Sequence, residues 1–323
     1  MIRSILAGVL LSLSLAGAVS AQEFPNRPVR LVVPFSAGGP LDIVVRVLAE
    51  KLSLRWRQPV IVDNRPGAGS LIGTATAARA APDGYTLLAT SDQTFVSNRF
   101  AYKTLPYDPD RSFEPVSLLV AADMMLLANT QSMGSKSLRE VIDTAKKDNK
   151  KLFYGAWGKG SPPNLLWETA SRRENGVFEL IMYKGGAPAF EALMSGEVQF
   201  SVASTGSVER LAQSGRIKPL AIAASARSPL FPNVPTTTEL GYPDVKFRVW
   251  HGLWAPAGTP PELVAKISKD VAEVLKSGAF QDRSATIGGF SIVGSTPQEL
   301  RNTIRDDTNG MREMARAAQL EPE

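Results

Sequence analysis

Short apolar runs alternate with helical periodicities along almost the whole chain. Val29–Val33 is a continuous apolar run, which suits a strand buried on both faces. A loop of small residues, Ser36-Ala37-Gly38-Gly39, follows it. Pro40 then takes a first helical position and Asp42 lies in the first turn. Leu41, Val44, Val45, Leu48 and Leu52 recur at spacings of three and four, which is one helix face. Further strands are predicted at Val60–Val62, Tyr85–Ala89, Leu152–Tyr154, Glu179–Tyr183, Val198–Ala203 and Leu220–Ala224. Helices are predicted over Ile72–Ala80, Leu138–Lys147, Asn164–Arg172 and Pro188–Met194. Capping boxes beginning at Ser137, Thr259 and Thr296 mark helix starts, each with Glu three residues on. Strand–helix alternation of this kind builds parallel sheets flanked by helices, an α/β architecture, and the 323 residues suffice for two such domains.

The first 21 residues read as a signal peptide. Arg3 supplies the positive end, Ile5–Leu15 the apolar segment, and small residues lead to cleavage after Ala21. An N-terminal anchor is the alternative, but the apolar run falls short of the ~20 residues a membrane span needs. The chain has no cysteine, which excludes disulfides, thiolate metal sites, Cys nucleophiles and a lipidated N-terminal Cys. His251 is the single histidine, so no zinc site is expected. A Ser-His-Asp hydrolase would have to use His251, yet no G-x-S-x-G elbow exists, and a structural role for it is expected. Without Arg3 the chain keeps 35 basic against 31 acidic residues. These are interspersed rather than clustered, which argues against a nucleic-acid footprint.

The Phe35–Asp42 junction is the strongest site candidate. A strand that runs through a small-residue loop into a helix N-terminus can present backbone N–H groups to an anion. Equally, it can be a tight turn in which Asp42 only complements the helix dipole. Spacing alone leaves both readings open. Gly67-Ala68-Gly69-Ser70 leads to Gly73, one residue late for a dinucleotide fingerprint, so a turn into a helix is expected there. Gly158-Lys159-Gly160 lacks the Ser or Thr of a phosphate-binding loop and reads as a mobile loop carrying Trp157 and Lys159.

Set in order, several segments resemble one family. They are Arg27–Gly39 with Asp42 and Arg46, Asp63–Gly69, Ala81–Leu88, Tyr183–Ala189, Val234–Gly241 and Ala255–Pro260. Together they resemble the extracytoplasmic substrate-binding proteins of tripartite tricarboxylate transporters, the Bug/TctC-like family. The resemblance covers nearly all of the chain after the signal segment. It implies a Venus-flytrap fold of periplasmic-binding type, with two α/β lobes and a ligand cleft between them. Crossings are placed near Ala122–Leu127 and Val245–Arg248. Residues 22–123 with 246–323 would form the first lobe, and 124–245 the second.

The same resemblance implies a monomeric receptor, not an enzyme, without metal or cofactor. It would capture a small organic acid in the periplasm and deliver it to a membrane permease. A sensory co-receptor and a periplasmic hydrolase are the alternatives. Carried over position by position, the implied first-lobe contacts are Phe35, Ser36, Ala37, Gly38, Asp42, Gly67, Ala68, Ser91, Asp92 and Gln93. Those of the second lobe are Trp157, Gly158, Ser161, Asn164, Tyr183, Lys184, Gly185, Ser204 and Thr205. The chain departs from the family pattern at Asn164, where His is common, at Ser36, where Pro is common, and at Trp157 and Lys159. Those last two would favour an aromatic or longer carboxylate, through stacking and charge.

Overall fold

The apolar run Val29–Val33 forms the strand β1, buried as its pattern requires. The computed structural model describes residues 24–322 except 135, 157–160, 184–185, 213, 225, 229, 244, 279, 281–289, 318 and 321. The predicted signal segment, Trp157, Gly158, Lys159, Lys184 and Gly185 lie outside the described residues. After β1 come α1 (Pro40–Trp56), β2 (Val60–Asn64), α2 (Leu71–Ala78), β3 (Thr86–Ser91), α3 (Asn98–Ala101) and β4 (Phe113–Asn129). There follow α4 (Thr130–Met133), α5 (Leu138–Lys147), β5 (Leu152–Ala156), α6 (Pro162–Arg173), β6 (Phe178–Met182) and α7 (Gly186–Ser195). The chain continues through β7 (Phe200–Ser204), α8 (Thr205–Ala212), β8 (Ile217–Ile222), β9 (Arg248–Pro256), α9 (Pro261–Leu275), β10 (Ser291–Ile292) and α10 (Pro297–Ala317).

β2, β1 and β3 run parallel, as the alternation predicts. β5 likewise runs parallel to β6 and β7. Between these sets stand β9 and the long β4, both antiparallel to their neighbours. The sheets are therefore mixed rather than purely parallel. β4 pairs with β9 as far as Asp123↔Arg248, then with β7 from Met124↔Ser204 and with β8. One strand thus serves two sheets.

Register brings the strand ends together. Ser91, the last residue of β3, pairs with His251, which pairs with Val120. Ser204, the last residue of β7, pairs with Met124. Val120 and Met124 are four residues apart, about 13 Å along one strand. Because β1 and β2 run with β3, and β5 and β6 with β7, the C-terminal ends of β1–β3 face those of β5–β7 across this stretch of β4. Loops beyond such ends are where open α/β folds hold ligands.

Each layer closes a core. α1 places Leu41, Val44, Val45, Leu48 and Leu52 against Val29, Leu31 and Val33, with Ile267 and Val271 of α9 beside them. Each fully buried Leu or Val contributes roughly 1.5–3 kcal/mol. α2 lies on the opposite face and approaches β1 closely at Gly73. A Cβ there would stand 2.7 Å from the Arg65 carbonyl oxygen and 2.8 Å from Pro34. Beyond the crossing, Trp167 packs between Phe178 and Phe200, each ring 4.8 Å away. The capping boxes at Ser137 and Thr296 form as expected. The one at Thr259 does not: its hydroxyl donates to the Pro256 carbonyl at 2.7 Å, and α9 starts at Pro261 without a side-chain cap. The turn at Pro256–Thr259 claims the hydroxyl first.

Candidate functional site

The loop between β1 and α1 is held by Asp42. Its carboxylate is buried, 2% exposed, and accepts from three groups. The Gly38 N–H and the Arg46 Nε donate at 2.8 Å, and the Asn64 Nδ2 at 2.9 Å. Asn64 also donates to the Phe35 carbonyl at 3.1 Å and accepts from Arg46 at 2.9 Å. Burial alone would raise the Asp42 carboxyl, but these hydrogen bonds outweigh it and hold it below the usual carboxylate range. Asp42 therefore does more than complement a helix dipole: it ties the loop to the end of β2. Gly38 spends its N–H on Asp42, and Pro40 has none. Among the described residues, the amides of Ser36 and Ala37 carry no hydrogen bond, and both residues are exposed.

Beside it, the loop after β2 runs through four successive positive φ angles: Gly67 at 131°, Ala68 at 46°, Gly69 at 58° and Ser70 at 78°. Non-glycine residues pay for that geometry, and such strain persists only where neighbours enforce it. Here the enforcement is visible. The Asn98 Nδ2 donates to the Gly69 carbonyl at 3.0 Å, and the Ser70 Oγ lies 3.0 Å from the Thr94 Oγ1. Thr94 in turn bonds Thr90 at 2.6 Å, and its carbonyl accepts from the Tyr107 hydroxyl at 2.7 Å. A Cβ at Gly69 would collide with the Tyr102 hydroxyl and come 3.5 Å from the Gln93 amide. The structure thus brings Gln93 to the Gly67–Ser70 turn. Tyr102, Thr94 and Asn98 carried no signal in the sequence.

Ser91 is buried at the end of β3. Asp92, the next residue, is buried as well. It faces a cavity of about 290 Å³ whose walls include Asp123, Arg248, Asp307 and Met311. The Trp250 N–H donates to Asp92 at 3.4 Å, and the Trp250 indole to Asp307 at 2.6 Å. Burial pushes the Asp92 carboxyl up to about 8, and neighbouring Asp307 adds to the rise.

Next to the second sheet, Ser161 occupies the N-cap position of α6 without a side-chain cap, and its buried Oγ has no partner among the described residues. Pro162 and Pro163 follow, so the first two helical positions offer no N–H. Asn164 is buried and donates to the Tyr154 hydroxyl at 3.4 Å. Tyr183 follows directly after β6 with its hydroxyl on Glu197 at 2.7 Å, and burial and that carboxylate push it up to about 12. Ser204 bonds Ser207 at 2.8 Å, with buried Thr205 adjacent. His251 is buried in β9, 4.8 Å from the Phe290 ring, and among the described residues neither ring nitrogen has a partner. Burial pulls it down to about 4, so it is neutral at pH 7, as a structural histidine would be. Among the described residues no group of acidic or histidine side chains could hold a metal ion.

The family described as "Tripartite tricarboxylate transporter family receptor" matches residues 44–320. Protein BugT of Bordetella pertussis is 34% identical over 294 residues, 91% of this chain and 90% of its own. Among solved structures, periplasmic binding protein BugD is 33% identical with a TM-score of 0.77, covering 93% of this chain and 100% of its own. An R. palustris protein solved with adipate is 30% identical with a TM-score of 0.80, over 93% and 100% of the two chains. The fold is the two-lobed fold of these periplasmic binding proteins.

Proposed function

This chain belongs to the tripartite tricarboxylate transporter receptor family, and on that footing we propose that it is an exported receptor for a small organic acid. The observation that carries the reading is that two sets of strand ends face each other across Val120–Met124, with an anion-ready loop among them. In this reading one ligand carboxylate docks on the Ser36 and Ala37 amides and the Ser36 hydroxyl. Asp42 positions that loop, with Arg46 offsetting its charge. Gly67, Ala68, Ser91, Asp92 and Gln93 complete the first-lobe wall. Ser161, Asn164, Tyr183, Ser204 and Thr205, with residues 157–158 and 184–185, meet the ligand from the other side. The adipate of the R. palustris relative supports a dicarboxylate.

Lobe boundaries at 123/124 and 245/246 go with this proposal, as do export by residues 1–21, periplasmic release and delivery to a permease. Closure of the lobes replaces solvent around the bound acid with fixed polar groups, without covalent chemistry. A thermal-shift screen of carboxylic acids, amines and sugars tests the reading. A ligand at ~100 times its Kd adds about 2.7 kcal/mol, or about 4 °C for a chain of this size. Shifts with amines or sugars and none with acids would refute it.

A further inference from the structure

α10 divides two cavities of opposite character. Asp306 and Asp307 face the 290 Å³ cavity that Asp92 lines. On the other side lies a cavity of about 450 Å³, lined in part by Arg99, Trp254, Arg301, Arg305, Thr308 and Arg312. Arg301, Arg305, Thr308 and Arg312 fall at i, i+4, i+7 and i+11, one stripe along the helix.

The arginines are not equivalent. Arg99 forms a two-point pair with Asp110, 2.7 Å at each contact, which satisfies both groups. Arg301 makes a single contact with Glu114 at 3.1 Å, and Arg305 one with Asp306 at 2.9 Å. Arg312 meets no carboxylate among the described residues; its NH1 donates to the neutral Asn309 side chain at 2.8 Å. Uncompensated positive charge therefore sits at Arg312, and the neighbouring Arg305 is held only by one exposed carboxylate. The inner wall is aromatic. Trp254 and Phe95 stack at 4.3 Å, and Phe113 meets Phe95 edge-on at 5.6 Å. Among the described residues the Trp254 Nε1 and the Thr308 Oγ1, both buried on residues of this wall, have no partner. Buried donors left unpaired are costly and uncommon.

The geometry points to a second small-molecule site here, separate from the interlobe cleft, for an amphipathic organic anion. Its carboxylate pairs with Arg312 and Arg305, where a planar guanidinium can grip both oxygens. Its aromatic or aliphatic body lies along the Trp254 side. The volume falls within the range of small-ligand pockets, roughly 300–1,000 Å³. None of these side chains belongs to the proposed carboxylate cleft, so the site stands whether or not that cleft binds an acid.

Benzoate is a suitable probe. The full protein is titrated at low and at raised salt while tryptophan fluorescence and bound benzoate by equilibrium dialysis are followed. The expected result is saturable binding that weakens with salt. It should fall at least about tenfold in R305Q/R312Q at unchanged Tm, as loss of charge-assisted contacts requires. Should the double variant lose stability, R312Q and R312K are compared. The Gln variant should weaken binding and the Lys variant retain much of it. Absence of saturable binding, or equal affinity in wild type and R305Q/R312Q, overturns the proposal; so does equal weakening by R312Q and R312K.

Discussion

Replacing Asp42 by Asn separates a loop organiser from a simple neighbour of the ligand. The buried carboxylate accepts from Gly38, Arg46 and Asn64. Arg46 is half exposed and water can replace its contact, so its share is discounted. The other two donors each lose a charged acceptor, a difference of about 1 kcal/mol per bond. D42N should therefore cost about 2 kcal/mol at pH 7, a fall in Tm of about 3 °C for a chain of this length. The pH dependence sharpens the test. The Asp42 carboxyl is held below its ordinary value in the folded state. Its stabilisation is then fully present above the unfolded value near ~4 and is lost as pH falls through the lower folded value. Urea unfolding of both proteins from pH 7 to pH 3 should show the gap closing below about pH 4. Carboxylate affinity should fall as well, because the loop loses its tie to β2. A gap that stays constant to pH 3, or D42N binding the acid more tightly because a repelling charge has gone, refutes the reasoning.

Three further outcomes follow from the same geometry. G69A should weaken acid binding at least about tenfold, since a Cβ there strikes the Tyr102 hydroxyl at a left-handed φ; G69A/Y102F should recover the steric part, and calorimetry of the two would show no difference if that contact were irrelevant. Glu174 is buried and bonded by Arg139, Lys146 and Tyr242, which offset its burial and hold it at about 2. E174Q should cost about 3 kcal/mol at pH 7 in denaturant unfolding, with the difference from wild type shrinking as pH falls from about 4 towards 2. His251 is buried and neutral with its value pulled down to about 4, so wild type should lose about 3 kcal/mol as pH falls from about 6.5 to 4, and H251Q should lack that component.

Local chemistry was legible in the sequence. β1 and the buried stripe of α1 followed from apolar spacing, and the boxes at Ser137 and Thr296 from residues three apart. The Asp42–Arg46 pair could be read as an i,i+4 contact, but Asn64, which completes it, lies 22 residues from Asp42 on another strand. β4 was not legible as one strand. Its partners β9 and β7 come from far along the chain, and its two halves serve different sheets. The Gly67–Ser70 turn was expected, whereas left-handed Ala68 and Ser70 are imposed by Asn98, Thr94 and Tyr102. The partners of Asp92 were not legible in the sequence. Its surroundings are set by Trp250, 158 residues away, and by Asp307.

A carboxylate gripped between the ends of β1–β3 and those of β5–β7 is the core of the proposed function. A crystal structure of the protein with the acid that most raises its Tm tests this directly. One ligand carboxylate should lie within hydrogen-bond distance of the Ser36 and Ala37 amides, with Ser161 or Asn164 on its far side. An acid bound with the Ser36–Ala37 amides facing solvent would contradict it.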